Sequence, residues 1–182
     1  MRSELAISPS DWLKEHPISI QNPASILSAF KPVAIKVVKF KGPHRLYRAS
    51  GWDSNRGQIA SAYGSWWADE RVLAKLAQRI DMFKNWLPDE LRRKALPIQY
   101  RGATALCEDW NDMREMFSLK LPAGQEITGL VGIASEQPKL SSLDPNSRHT
   151  PMLQGGAEQV YFKRTPTLNS VNPLWVYSEK LF

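Results

Sequence analysis

One segment carries a sustained helical period. Between Asp69 and Leu87, apolar residues fall at Leu73, Leu76, Ala77, Ile80, Phe83 and Leu87, the spacing of one helix face. Asp69 and Glu70 suit the positive N-terminal end of such a helix, and Pro88 stops it. The rest of the chain is cut into short pieces by 13 prolines and 10 glycines. Several pieces are β-branched or aromatic: residues 33–40 (VAIKVVKF), 44–50 (HRLYRAS), 126–134 (EITGLVGIA), then EQVYF and LWVYS. One strong helix among many short strands predicts an α+β fold rather than a doubly wound sheet.

Other pieces are weaker. PIQYRGATA, residues 97–105, reads as a strand, DELRRKAL as a further helical turn or two, and CEDWNDMREMFSL as a short helix. Gly129 sits inside a strand pattern and suggests a bulge. Residues 135–154 form a polar stretch without periodicity, a length that in a compact domain points to a functional loop. Residues 1–32 are rich in Pro, Ser and Asn and predict an N-terminal extension with short helices. Residues 33–182 would then be the main domain.

A length of 182 residues and 42% hydrophobic content suit one globular core. No apolar run is long enough for a membrane helix, so no membrane insertion is expected. The first residues carry charges and Trp12 where a secretory signal needs an apolar centre. Cys107 is the only cysteine, and His16, His44 and His149 are scattered, so no metal is expected. The net charge of +6 favours acidic partners. Phosphate-cradling GxGxxG and GxxxxGK[ST] loops, the GxSxG elbow and HExxH do not occur.

Three short motifs carry possible chemistry. Arg48, in LYRASG, is a strand-borne planar fork of donors suited to a phosphate or carboxylate. Its plain alternative is a surface arginine in a strand pair. AYGSWW, residues 62–67, offers the Ser65 hydroxyl and the Trp66 and Trp67 rings, a set able to hold a planar heterocycle and its sugar. On a strand the two tryptophans face opposite sides, so one belongs to the core and the other is open to a site. In LQGGAEQVYF, Gly155 and Gly156 allow backbone shapes closed to other residues. Glu158 and Gln159 then start a strand on opposite faces; the plain alternative is a glycine turn.

Taken in order, LYR, GSWW and LQGGAEQVYF resemble the ADP-ribosyltransferase superfamily. The likeness is to the toxin domains that end Rhs and other bacterial polymorphic toxins, and it extends to the related necrotising-toxin NAD glycohydrolases. It spans about residues 44–162. The resemblance implies a split, strongly bent β-sheet with flanking helices and NAD in the cleft. Arg48 would match the arginine that holds NAD, with Tyr47 beside it. Ser65 would match the hydroxyl of the second motif, Trp66 or Trp67 the aromatic beside the nicotinamide, and Glu158 or Gln159, after Gly156, the third motif.

The implied activity is cleavage of the nicotinamide–ribose bond, with ADP-ribose passed to a target protein or RNA. Hydrolysis of NAD is the runner-up, and non-catalytic nucleic-acid binding is the rival from another class. Glu158 in the cleft favours transfer; Gln159 there favours hydrolysis, and the glycine register favours Gln159. The resemblance further implies a secretion effector for interbacterial competition, exported without a cleavable signal. It would act in the target-cell cytoplasm and be neutralised by an acidic immunity protein.

Overall fold

The computed structural model describes residues 1–15, 22–32, 35–50, 52–53, 58–59, 65–82, 88–108, 113, 115–163 and 176–179. Eight strands form one sheet: β1 (Arg2–Glu4), β2 (Lys36–Lys41), β3 (His44–Ser50), β6 (Trp66–Asp69), β7 (Glu115–Leu121), β8 (Glu126–Ile133), β11 (Glu158–Tyr161) and β12 (Val176–Glu179). Their order is β1-β2-β8-β11-β6-β3-β7-β12. Every neighbouring pair is antiparallel. Two small ribbons stand apart, β4 (Trp52–Asp53) with β5 (Gln58–Ile59) and β9 (Gln137–Pro138) with β10 (Met152–Leu153). Among the described residues there are four helices: α1 (Pro9–Lys14), α2 (Pro23–Ser28), α3 (Glu70–Asp81) and α4 (Asp89–Thr104). The expected α+β class is what the fold shows.

Two short connections force the sheet to curl. β2 and β3 are four strand spacings apart in the sheet, about 19 Å on a flat lattice. Yet only Gly42 and Pro43 join them, and three virtual bonds reach at most about 11 Å. β7 and β8, also four spacings apart, are joined by the turn at Pro122–Gln125. The two connections touch: Gly42 N donates to Gln125 O at 2.9 Å. A Cβ on Gly42 would stand 1.8 Å from Pro122 O, so only glycine admits the contact. The sheet therefore bends around the face that both turns enclose.

That inner face holds a core built from strands and their flanks: Val38, Phe40, Leu46, Trp67, Leu119, Leu121, Ile127, Val131, Val160 and Phe162. The helices pack on the outer face. Trp12, Leu13, Ile26 and Phe30, from α1, α2 and the residues after them, meet Val37, Leu130 and Tyr161. Val72, Leu73 and Leu76 of α3 and Tyr100 of α4 meet Ala49, Ala68 and Met116. Gly129 pairs with Val38 in regular register, so the expected bulge is absent. Its role is space, because an added Cβ would lie 2.7 Å from both Phe162 Cδ1 and Tyr161 O.

The first 32 residues do form short helices. Ser8 and Asn22 cap α1 and α2, each with a proline at the first helical position, where a missing N–H costs nothing. They also supply a strand: β1 pairs with β2, Arg2 opposite Phe40, and Leu5 N donates to Val37 O at 2.9 Å.

The α3 helix is present over Glu70–Asp81, with Leu73, Leu76 and Ile80 buried as expected but Ala77, expected on the same face, exposed; Phe83 and Leu87 lie outside the described residues. Residues 97–105 correct the strand expectation. Residues 97–104 are the second half of α4, which ends in left-handed Ala105 (φ 51°). The reason is periodicity. A strand would put Ile98 and Tyr100 on one face, but Ile98 is 69% exposed and Tyr100 is buried. Leu96, Tyr100 and Ala103 share the helical face instead. Met116–Leu119, read as a short helix, lie in β7, where they pair with both β3 and β12.

Candidate functional site

The three motifs sit on three consecutive strands. β3 carries Tyr47 and Arg48, β6 carries Trp66 and Trp67, and β11 carries Glu158 and Gln159; the sheet runs β11-β6-β3. Residues more than 90 positions apart in the chain thus become neighbours across the sheet. Ser65 precedes β6, and its carbonyl accepts the Phe162 N–H at 2.8 Å. Ala62, Tyr63 and Gly64 lie outside the described residues.

β3 and β6 pair only at Leu46–Asp69 and Tyr47–Ala68. Beyond that point β3 continues with β7 alone, to Ser50–Glu115, while β6 stays with β11. Arg48 stands where they part. Its Nη1 donates to Trp66 O at 3.0 Å, a side chain taking the place of a ladder bond. Alongside, the Tyr100 hydroxyl donates to Tyr47 O at 3.3 Å and ties α4 to this strand. Burial pushes the Tyr100 phenol up to about 12, against the pull of Arg48.

Strand alternation sorts the remaining candidates by face. Leu46 and Val160 are inner-core residues, so Arg48 and Glu158, each two positions away, belong to the inner face. Tyr47 and Ala157 pack with the outer cluster, and Gln159 lies on that side. Trp67 is 1% exposed in the inner core. Trp66 packs at a tilt on the outer side against Phe30 (ring centres 5.2 Å) and Tyr161 (4.9 Å). Both tryptophans therefore pack against neighbours, whereas alternation alone left one open to a site.

Glu158 and Gln159 are engaged differently. Gln159 Nε2 donates to Thr104 O, the carbonyl at the end of α4. The N–H four residues on, at Glu108, goes to Lys139 O instead, so the glutamine satisfies a helix-end carbonyl that the helix itself leaves open. Glu158 receives a two-pronged contact from Arg2, Nη1 to Oε1 at 2.6 Å and Nη2 to Oε2 at 3.3 Å. Both side chains keep 29% of their surface exposed.

The glycines ahead of them are fixed by backbone bonds. Gly155 N donates to Gly102 O (3.0 Å), Gly156 N to Ala134 O (3.0 Å) and Ala157 N to Ala103 O (2.9 Å). Gly155 has φ 65° and Gly156 φ 90°, conformations that favour glycine. These bonds stitch the entry of β11 to the end of α4 and to the residue after β8.

Asp69 is the charged centre beside Glu158. It is 1% exposed and caps α3 by accepting Arg71 N at 3.0 Å. Arg71 Nε donates to Oδ1 at 2.9 Å. His44 Nε2 lies 3.3 Å from Oδ2, out of line for a regular hydrogen bond. Arg2 Nη1 lies 3.8 Å from the same oxygen. Burial by itself would raise the Asp69 carboxyl, but the contacts of His44 and Arg71 outweigh it and hold it well below the usual carboxylate range.

Arg2 and His44 were not among the sequence candidates, and Asp69 was read only as a helix-start residue. Nothing local marks them, because their meeting depends on the curl of the sheet. Among the described residues no cluster of His, Cys, Asp and Glu is arranged to hold a metal ion, and no helix is long and apolar enough to cross a membrane. No family model, curated protein or solved structure matches the chain.

Proposed function

We propose that the chain is an NAD-consuming toxin domain of ADP-ribosyltransferase type, with its split, bent sheet as the NAD cleft. It cleaves the nicotinamide–ribose bond and passes ADP-ribose to a target macromolecule, protein or RNA. The observation that carries this reading is the convergence of the LYR, SWW and EQV segments on adjacent strands β3, β6 and β11. Arg48 stands where β3 and β6 part, and Glu158 is on the same face. On a flat lattice their Cα positions are two strands and two residues apart, about 12 Å, a separation an extended dinucleotide can bridge.

The roles follow from the chemistry. Arg48 grips the pyrophosphate and holds the reacting bond in line. The bond between the ribose carbon and the nicotinamide nitrogen breaks. Its electron pair leaves with nicotinamide, which departs neutral, and positive charge grows on the ribose as in glycoside cleavage. The Glu158 carboxylate stabilises that charge and accepts the proton of the attacking hydroxyl or amine. Glu158 is chosen over Gln159 because the amide nitrogen of Gln159 is committed to Thr104 O on the helix side. By that choice transfer is favoured over hydrolysis. Ser65, just before β6, contacts the nicotinamide half, while Trp67 and Trp66 serve the packing on the two faces of the sheet. A toxin of this kind implies export without a cleavable signal, action in a target-cell cytoplasm and an acidic immunity protein.

The test is release of nicotinamide from NAD by the pure protein, with and without a bacterial lysate. Labelled NAD then reports the acceptor. Label in protein or RNA supports transfer, and free ADP-ribose without an acceptor supports hydrolysis. No release, no NAD binding and salt-dependent capture of nucleic acid would move the chain to the nucleic-acid-binding class.

A further inference from the structure

We propose that Arg2 is a positioning residue for Glu158, supplied to the site by the N-terminal strand. The inference rests on the reading in which Glu158 does the chemistry. Arg2 and Glu158 are 156 positions apart in sequence, and β1 and β11 are three strand spacings apart in the sheet. Only the curl of the sheet brings Arg2 across the inner face to the carboxylate. The guanidinium meets both carboxylate oxygens, a two-point contact that fixes the plane of the carboxylate as well as its position.

Arg2 is itself held. Its backbone is in register with Phe40, and the strand is anchored on either side by Lys41 N to Met1 O (2.8 Å) and Leu5 N to Val37 O (2.9 Å). Its Nη1, the nitrogen nearest Glu158, also faces buried Asp69 at 3.8 Å. Asp69, Arg2 and Glu158 therefore form a chain in which a buried carboxylate orients a guanidinium and the guanidinium orients an accessible carboxylate. The fork uses one lone-pair direction on each Glu158 oxygen and leaves the others free. Oε1 is held at 2.6 Å and Oε2 at 3.3 Å, so Oε2 is the oxygen left to meet the ribose and the incoming nucleophile.

The experiment compares Arg2→Gln, Arg2→Lys, Glu158→Gln and the double variant Arg2→Gln/Glu158→Gln in steady-state nicotinamide release. Arg2 touches Glu158 and not the dinucleotide, so Arg2→Gln lowers kcat by about 100-fold, the cost of a misplaced reacting group, and leaves KM for NAD within about twofold. Arg2→Lys keeps the charge but loses the fork, and falls by about tenfold. In the Glu158→Gln background, Arg2→Gln costs less than about threefold more, because residues acting as a unit are not additive. A purely structural arginine would multiply with Glu158→Gln, and that result overturns the proposal. So does an unchanged or increased kcat, or a change confined to KM. Melting curves accompany the assay. If both Arg2 variants are unfolded at the assay temperature, Arg2 belongs to folding and the proposal fails. Wild-type protein that releases no nicotinamide refutes the reading of the site, and this assignment falls with it. Active wild type with indifferent Arg2 variants refutes the Arg2 assignment alone.

Discussion

Exchanging the roles of two adjacent residues gives a sharp test. Glu158 and Gln159 share a strand but hold different parts of the molecule, so their substitutions separate activity from stability. Gln159→Ala strips the donor from Thr104 O, on a residue only 6% exposed. A buried acceptor left unpaired costs about 2 kcal/mol. For a chain of this size that lowers the melting temperature by roughly 4–8 °C. The catalytic face is untouched, so kcat at a permissive temperature stays within about twofold of wild type.

Glu158→Gln behaves in the opposite way. It removes one charge from a pair whose side chains are each 29% exposed, and an amide oxygen still accepts from Arg2. Pairs that accessible contribute below about 1 kcal/mol, so the melting temperature moves by about 4 °C or less. The carboxylate that stabilises the ribose cation is gone, however, and kcat falls by roughly 100- to 1,000-fold. Nicotinamide release and calorimetry on the same preparations read both effects. Full activity in Glu158→Gln with loss of activity in folded Gln159→Ala would refute the face assignment. It would place the chemistry on the helix side and favour hydrolysis.

Three further outcomes are expected. Arg48→Lys raises KM for NAD by about tenfold, because an ammonium cannot reproduce the two-point grip on phosphate; an unchanged KM removes Arg48 from the site. Because folding depresses the Asp69 carboxyl below its ordinary 3.8, its stabilising contribution is complete above that value and is lost as acid protonates the folded form. Asp69→Asn should therefore flatten the acid limb of a pH–stability curve. It should also cost about 1 kcal/mol at neutral pH by removing the carboxylate partner of Arg71, whose side chain is 60% exposed; an unaltered acid limb on urea titration would contradict this. Gly155→Ala should destabilise far more than Gly156→Ala. Both have positive φ, but only the first would drive a Cβ to 2.5 Å from Ala134 O, while nothing stands near the second. Equal melting temperatures for the two would refute that packing argument.

The α+β class, β3 and the core of α3 were legible in the sequence, because each rests on local signals. His44–Ser50 carries Leu46 and Tyr47 in a short run between Pro43 and Gly51, and Leu73, Leu76 and Ile80 keep a helical period. The capping prolines and the Ser8 and Asn22 caps are local too. The second half of α4 was not legible. Pro97 and a run of β-tolerant residues mimic a strand, and only packing of Leu96, Tyr100 and Ala103 against α3 shows the true period. Gly129 reads as a bulge because its reason, the Phe162 ring against it, lies just past the end of β11, far along the chain.

The candidate site divides in the same way. The sequence by itself determined which residue types stand on which strands, and that Glu158 and Gln159 face opposite sides, since alternation is a property of an extended backbone. It could not determine which side holds the helices and which side curls inward. Strand order and curvature decide that, through the Gly42 and Pro122 turns meeting at one end. The same curl carries Arg2 to Glu158 across 156 positions of sequence. Contacts of that range are encoded only in the collective fit of the core, so tertiary structure alone reveals them.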